Sequence, residues 1–372
     1  MKTKKTDIFT VFLFCGFLFA MLVLYLVLPK ESFSEKEKRY LAETPKVSVE
    51  NVLSGGFGRQ AETYLADHAP GRDFFVGLWA NLERLTGKQV TKDVYLAENN
   101  RLVEKPQKWN AEVAQKNMNA INRFAEENNV EMDLMIVPSA GFVYEDAICG
   151  LKDPYEDSRI LQNLQKMARE KLRWLSVLPS FDNVQDKQAL YYRTDHHWTS
   201  YGAYTAYQAY MEAVGREYET EFTVESHEDF KGSNYSRSGL WQIPGETIEL
   251  WKTDAPLTVT NGEADAPHAG VFYEERLQEL DKYTVYLDGN HSLVRIDNPE
   301  QAGKGKLLVI RDSYANCLGT FLANSYESVV LVDLRYYKKP LSELLAAEGF
   351  EDVLVCYSIG NFLTDTNLIW LR

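Results

Sequence analysis

The sequence predicts an α/β fold built on a parallel sheet, carried behind an N-terminal transmembrane helix. Three observations predict it. Ile8 to Leu28 (IFTVFLFCGFLFAMLVLYLVL) are 21 positions without a charge. The C-terminal quarter repeats a short apolar run ending in polar residues (KLLVIRDS, SVVLVDLRYY, EDVLVCYSIGN) with helix-length segments between, the pattern of strands buried on both faces of a parallel sheet. With 45% hydrophobic and 25% charged residues over 372 positions, the chain is neither disordered nor collagen-like, and it exceeds the usual size of one domain.

The apolar run comes first. At about 1.5 Å per residue it spans about 30 Å, the hydrocarbon thickness of a bilayer. Lys2, Lys4 and Lys5 precede it, so the positive-inside rule predicts a cytoplasmic tail over residues 1–7, an anchor over 8–28 and everything after Pro29 outside. A cleaved signal peptide is the rival reading, but the run is long for one and no A-x-A site follows it. Residues 1–28 carry +2 of the net −14, so the exported part carries −16. Such a charge argues against nucleic-acid partners and repels anionic lipid. Besides Cys15 in the anchor, only Cys149, Cys317 and Cys356 occur. Three cysteines cannot all pair within one chain, their spacing suits no metal, and Cys317 and Cys356 sit in apolar runs as small hydrophobes.

Residues 29–95 read as a juxtamembrane spacer followed by a helical segment. The stretch 30–56 is polar, and the spacing from Phe57 to Gly87 is helical with a break near Pro70-Gly71. An extracytoplasmic domain follows over 96–372. DVYLAENNRLV predicts a hairpin around Asn99-Asn100. A long amphipathic helix over Asn110 to Asn128 leads into MDLMIVPSAG, a buried strand. Residues 159–174 predict another helix and WLSVLPSF a second strand. YGAYTAYQAYMEAVG is helical, and 216–300, rich in turns, reads as an irregular insertion.

In open α/β sheets the active site lies at the carboxyl ends of the strands. That rule gathers Asp312-Ser313, Asp333 to Tyr336, and Ser358 to Asn361. Ser313 stands where a strand stops and a helix begins, so its hydroxyl is either a nucleophile beside helix N–H groups or an ordinary helix cap. TDHHWTSYGAY offers what a nucleophile requires, a base and a carboxylate to orient it. Positions i and i+2 of an extended loop face the same side. Asp195 is therefore the orienter and His197 the base, with His196 turned away and Trp198 walling off water. A zinc site is the other reading of this cluster, though no further ligand stands at suitable spacing. Asn361 is placed to be an oxyanion donor, or is only a turn residue. Arg335 and Tyr336 either contact substrate or, for Arg335, pair with a carboxylate. Asn290-His291 forms a further polar cluster or a hairpin turn.

TDHHWTSYGAY, LLVIRDSYANC and VVLVDLRYY together resemble the DHHW family of bacterial envelope proteins. More distantly they resemble the alginate O-acetylation proteins, whose domain is SGNH-hydrolase-like. The resemblance extends over most of the exported chain, including FSEKEKRYLAETP and ETYLADHAPGRDFF. It implies a three-layer parallel sheet with the circularly permuted order Asp195, His197, Ser313. It carries the D-x-H-W pattern onto Asp195, His197 and Trp198, and the nucleophile onto Ser313. The chain departs from the ordinary hydrolase pattern at Arg311, which replaces a glycine, and at Asn361, where no G-x-N-D stands. The implied activity is that of a membrane-anchored O-acyltransferase or esterase acting on O-acetyl groups of a cell-envelope polysaccharide. No cofactor or metal is expected, and a multi-span membrane O-acyltransferase is the implied partner. The alternative is a non-catalytic glycan-binding or scaffold component of such a complex, for which the 13% aromatic content would supply sugar-contacting surface.

Overall fold

In the computed structural model, which describes residues 5–218, 220–262 and 266–371, the chain divides into two units. One comprises Met1–Lys88 with Gly239–Trp241, the other Gln89–Ser238 with Gln242–Arg372.

The first unit begins with α1 (Lys5–Val27). Its Asp7–Val27 stretch has a mean hydropathy of 2.6 and no protein cover, and its 21 residues are long and apolar enough to cross a membrane. Lys2 and Lys4, the expected flanking charges, lie outside the described residues. The spacer that follows is tied down by charge. Arg39 donates to Asp67 at 2.5 and 2.9 Å, and Arg72 reaches Glu37. The Arg39 hydrogen bond, against the opposing effect of burial, holds the Asp67 carboxyl down to about 2. The helices Val49–Leu53, Gly56–Asp67 and Arg72–Leu85 follow. The last two break at Pro70-Gly71, where Gly71 takes a left-handed φ of 67° that a side chain would strain.

The second unit is a three-layer sandwich around an eight-stranded sheet. Its strands are β1 (Met132–Val137), β2 (Leu172–Leu175), β3 (Thr258–Asn261), β4 (His268–Ala269), β5 (Leu293–Asp297), β6 (Lys306–Arg311), β7 (Ser328–Val332) and β8 (Asp352–Ser358). They lie in the order β4-β3-β5-β7-β6-β8-β1-β2. The five strands from β7 to β2 are parallel, and β5, β3 and β4 extend the β7 side in antiparallel pairing. Alternate side chains feed opposite layers. Leu307, Val309, Leu354 and Cys356 pack with α3 (Ser200–Val214) and α4 (Tyr314–Leu322), whereas Leu308, Ile310, Val353 and Val355 pack with α2 (Ala111–Glu127).

The predicted hairpin forms with Asn99 and Asn100 both at positive φ. Two predictions need correction. The helix expected over 159–174 is Asp157–Gln165, and Leu172 to Trp174 already belong to β2. WLSVLPSF is not a strand throughout, because Leu178–Asn183 is helical with Pro179 in its first turn, where a missing N–H costs nothing. The 216–300 stretch supplies β3, β4 and β5 as well as a separate hairpin, Thr223–Phe230 with Glu246–Lys252.

Register brings the important residues to one edge. Arg311 pairs with Cys356, and Ser358 with Val137, so Asp312, Ser358 and the turn after β1 meet at the carboxyl ends of the parallel strands.

Candidate active site

The Asp195 loop is a short excursion closed by a bridge between Tyr191 and Trp198 and by Thr199, whose hydroxyl caps α3. Inside it, Asp195 Oδ1 accepts from the His197 N–H at 2.9 Å, a local turn that Asp is suited to make. The same oxygen lies 2.6 Å from His197 Nδ1. Asp195 Oδ2 accepts the Ser233 N–H at 2.6 Å. Gly232 permits that approach, since a Cβ there would sit 2.2 Å from Asp195 Cβ. Burial would by itself raise the Asp195 carboxyl. The facing His196 and His197 and these hydrogen bonds outweigh it and hold the group well below the usual carboxylate range.

With Nδ1 donating to Asp195, His197 Nε2 is left to accept, and Ser313 Oγ stands 2.8 Å from it. The imidazole stacks on Tyr283 at 3.8 Å between centroids and 9° between planes. Ser313 precedes the first residue of α4, yet its side chain makes no capping bond. Asp312 caps instead, its Oδ1 accepting the Tyr314 N–H at 3.0 Å. The two roles the sequence offered Ser313 are thereby divided between neighbours, and the Ser313 hydroxyl points to imidazole.

Asp312 does more. Its Oδ2 accepts from Ser358 N at 2.9 Å, Ser358 Oγ at 2.8 Å and Asn361 Nδ2 at 2.8 Å. One Asn361 amide proton is committed there. The second meets no acceptor among the described residues, and Asn361 lines the same cleft of about 1080 Å³ as Ser313. The Ser313 N–H, at the start of α4, meets no acceptor among the described residues.

The other predicted residues are distributed as follows. His196 lines the cleft but turns Nδ1 to Ser233 Oγ at 2.5 Å. Burial, then the adjacent His197, lowers its pKa. Arg335 lines the cleft while its guanidinium forks onto Asp333, with contacts of 2.6 to 3.1 Å. Tyr336 is exposed and lies 5.5 Å from that guanidinium. Trp198 is fully buried and donates to Tyr314 O at 3.1 Å, so it braces the loop from behind. Asn290 accepts from the fully buried Arg311 at 2.9 Å, and His291 pairs with Asp288 at 3.1 Å. Neither is among the residues lining the cleft. Asp195, His196 and His197 each bring a ligand-capable atom within 4.8 Å of the others, but both His197 nitrogens already have protein partners.

Sequence reasoning missed Asp312 as a hub, Ser233 as the donor to Asp195, and Tyr283 as the stacking partner of His197. Asp312 carried a signal, an acid at a strand end. Ser233 and Tyr283 carried none, because they reach the site only through long-range folding.

Comparison with known proteins agrees with this architecture. Residues 91–240 match the family model described as the SGNH hydrolase-like domain of the acetyltransferase AlgX; the match includes the Asp195 loop and ends before β6. No curated protein matches the chain. Among solved structures, a DHHW family protein from Eubacterium siraeum is 19% identical over 75% of this chain and 95% of that one, with a TM-score of 0.66. Bacillus cereus PatB1, solved with a sulfonyl adduct, is 20% identical over 75% and 98%, with a TM-score of 0.61. The chain therefore carries an SGNH-hydrolase-like domain, similar to that of the acetyltransferase AlgX.

Proposed function

We propose that this protein is a membrane-anchored O-acyltransferase or esterase that handles O-acetyl groups of a cell-envelope polysaccharide. Ser313 is the nucleophile, His197 the general base and Asp195 its orienter. The observation that carries this reading is the 2.8 Å contact from Ser313 Oγ to His197 Nε2, made by a serine whose capping role has passed to Asp312.

Ser313 Oγ attacks the acyl carbonyl carbon as its proton moves to His197 Nε2. The resulting imidazolium is held in place by Asp195 through Nδ1. Negative charge on the carbonyl oxygen is stabilised by the Ser313 N–H and the uncommitted Asn361 amide proton. Collapse breaks the ester C–O bond, and the departing alkoxide takes the proton back from His197. The acyl-Ser313 ester is then attacked by a sugar hydroxyl or by water, whose proton passes to His197, and collapse breaks the bond to Ser313 Oγ, which takes that proton back. In this reading residues 1–7 stay in the cytoplasm and residues 8–28 span the membrane. Residues 29–95 are the spacer and helical segment, and 96–372 act outside. A multi-span acyltransferase supplies acyl groups across the bilayer.

The test is labelling with a serine-directed sulfonyl fluoride or phosphonate. The wild-type protein should gain one adduct on the peptide containing Ser313, and Ser313→Ala should gain none. An unlabelled but folded wild-type protein would favour the non-catalytic reading.

A further inference from the structure

The helix Arg72–Leu85 has two unlike faces. Val76, Gly77 and Ala80 meet Gly239–Trp241; a Cβ on Gly239 would lie 3.3 Å from Ala80 Cβ, and one on Gly77 would lie 3.6 Å from the Gly239 carbonyl. Ala80 is only 2% exposed. At 3.6 residues per turn, Phe74, Phe75, Leu78, Trp79, Leu82 and Leu85 occupy the opposite side, an arc of about 140° uninterrupted by any charged residue. All six stand exposed among the described residues: Phe74 is 67%, Trp79 64% and Leu85 83% accessible, and Phe75, Leu78 and Leu82 42–43%. Contiguous exposed apolar surface of this kind marks an interaction site.

We propose that this face lies in the interfacial layer of the same membrane that α1 spans. Three observations select lipid over a protein partner. The helix belongs to the same compact unit as α1, so the apolar arc is held near a bilayer once α1 is inserted. The arc combines two phenylalanines and a tryptophan with leucines, the composition of helices that lie flat at the headgroup boundary. Charge also separates this segment from the rest of the exported chain. Residues 29–88 hold nine basic and nine acidic side chains, so with +2 on residues 1–28 the remaining −16 falls on residues 89–372. Repulsion from anionic lipid therefore acts on the sheet-bearing unit, while the helical segment meets none. The proposal rests on α1 being a membrane span and is independent of the Ser313 chemistry.

The test uses the full chain reconstituted in phosphatidylcholine vesicles, in a Cys15→Ala, Cys149→Ser background that leaves only the buried Cys317 and Cys356. A nitrobenzoxadiazole label is placed at Phe74→Cys or Trp79→Cys, with Arg84→Cys on the polar side of the same helix as control. All three positions are exposed, so labelling disturbs no packing. With brominated acyl chains, labels at 74 and 79 should lose most of their emission and shift to the blue, and the label at 84 should not. The quenching should survive high salt and need no anionic lipid, because apolar burial drives it. Equal emission in brominated and ordinary vesicles would overturn the proposal. So would a blue shift without bromine quenching, accompanied by cross-linking between copies or to another protein, since a protein surface would then cover the face.

Discussion

Asp312 Oδ2 accepts a hydrogen bond from Asn361 Nδ2 at 2.8 Å, fixing the end of β8 against the residue that precedes Ser313. A buried carboxylate taking four donors from three residues holds Ser313, the proposed nucleophile, in register with Asn361, the proposed oxyanion donor. Asp312→Asn puts an amide N–H where one carboxylate oxygen stood, facing either the Tyr314 N–H on Oδ1 or the three donors on Oδ2. Turnover should fall by roughly 10²-fold, and stability should fall by about 1–3 kcal/mol, since unpaired buried polar groups carry that cost. Asn361→Ala should lower kcat by about 10²–10³-fold, the typical effect of losing one oxyanion donor, and stability by about 1–3 kcal/mol through the lost hydrogen bond to Asp312. Steady-state kinetics beside thermal unfolding of both variants checks the pair.

The two adjacent histidines should separate cleanly. His197→Ala should remove at least about 10³-fold of acyl turnover, as for other triad members. His196→Ala should cost less than about tenfold, because its Nδ1 serves Ser233, not Ser313. Hydrolysis of a small acetyl ester by folded variants measures both. Turnover that survived in the His197 variant and vanished in the His196 variant would reverse the assignment.

His196 also gives a pH dependence. Its folded pKa lies below the ordinary 6.5, through burial first and then the adjacent His197. The unfolded chain therefore takes up a proton before the folded one. Stability should be full above 6.5 and decline as pH falls below it, levelling off once the folded form is protonated as well. His196→Asn keeps a polar side chain near Ser233 and should flatten that decline. Urea unfolding at several pH values reads the slope directly.

Asp67 acts lower on the pH scale. Its folded value of about 2 against an ordinary 3.8 contributes stability that is present above 3.8 and is lost as pH falls through 2. Asp67→Asn should loosen the spacer at neutral pH, with faster proteolysis between residues 39 and 72. A cleavage rate unchanged from wild type would show that the Arg39 and Arg72 contacts hold nothing together.

Much of this was legible in the sequence, for definable reasons. KLLVIR, SVVLV and DVLVCYS announced parallel strands because both of their faces are buried. The i, i+2 spacing put Asp195 and His197 on one side of the loop, where their side chains meet, whereas the strand-to-helix junction left Ser313 open between cap and nucleophile. What escaped was long-range. Strands β3 to β5 are two to five residues long, too short for alternation to stand out among turns. Ser233 reaches Asp195 from 38 positions away, through a gap that only Gly232 leaves open. The Arg335–Asp333 fork is an i, i+2 pair visible in the sequence, but whether it faced a substrate or its own carboxylate depended on the turn after β7.

In the proposed mechanism Ser313 carries the acyl group. Mixing the protein with an activated acetyl ester, quenching with acid within the first turnover and mapping peptides by mass tests it directly. One acetyl group is expected on the Ser313 peptide, accumulating in the wild-type protein and absent from Ser313→Ala and His197→Ala. Turnover of the ester with no acetyl on Ser313, or with acetyl on another residue that persists in Ser313→Ala, would contradict it.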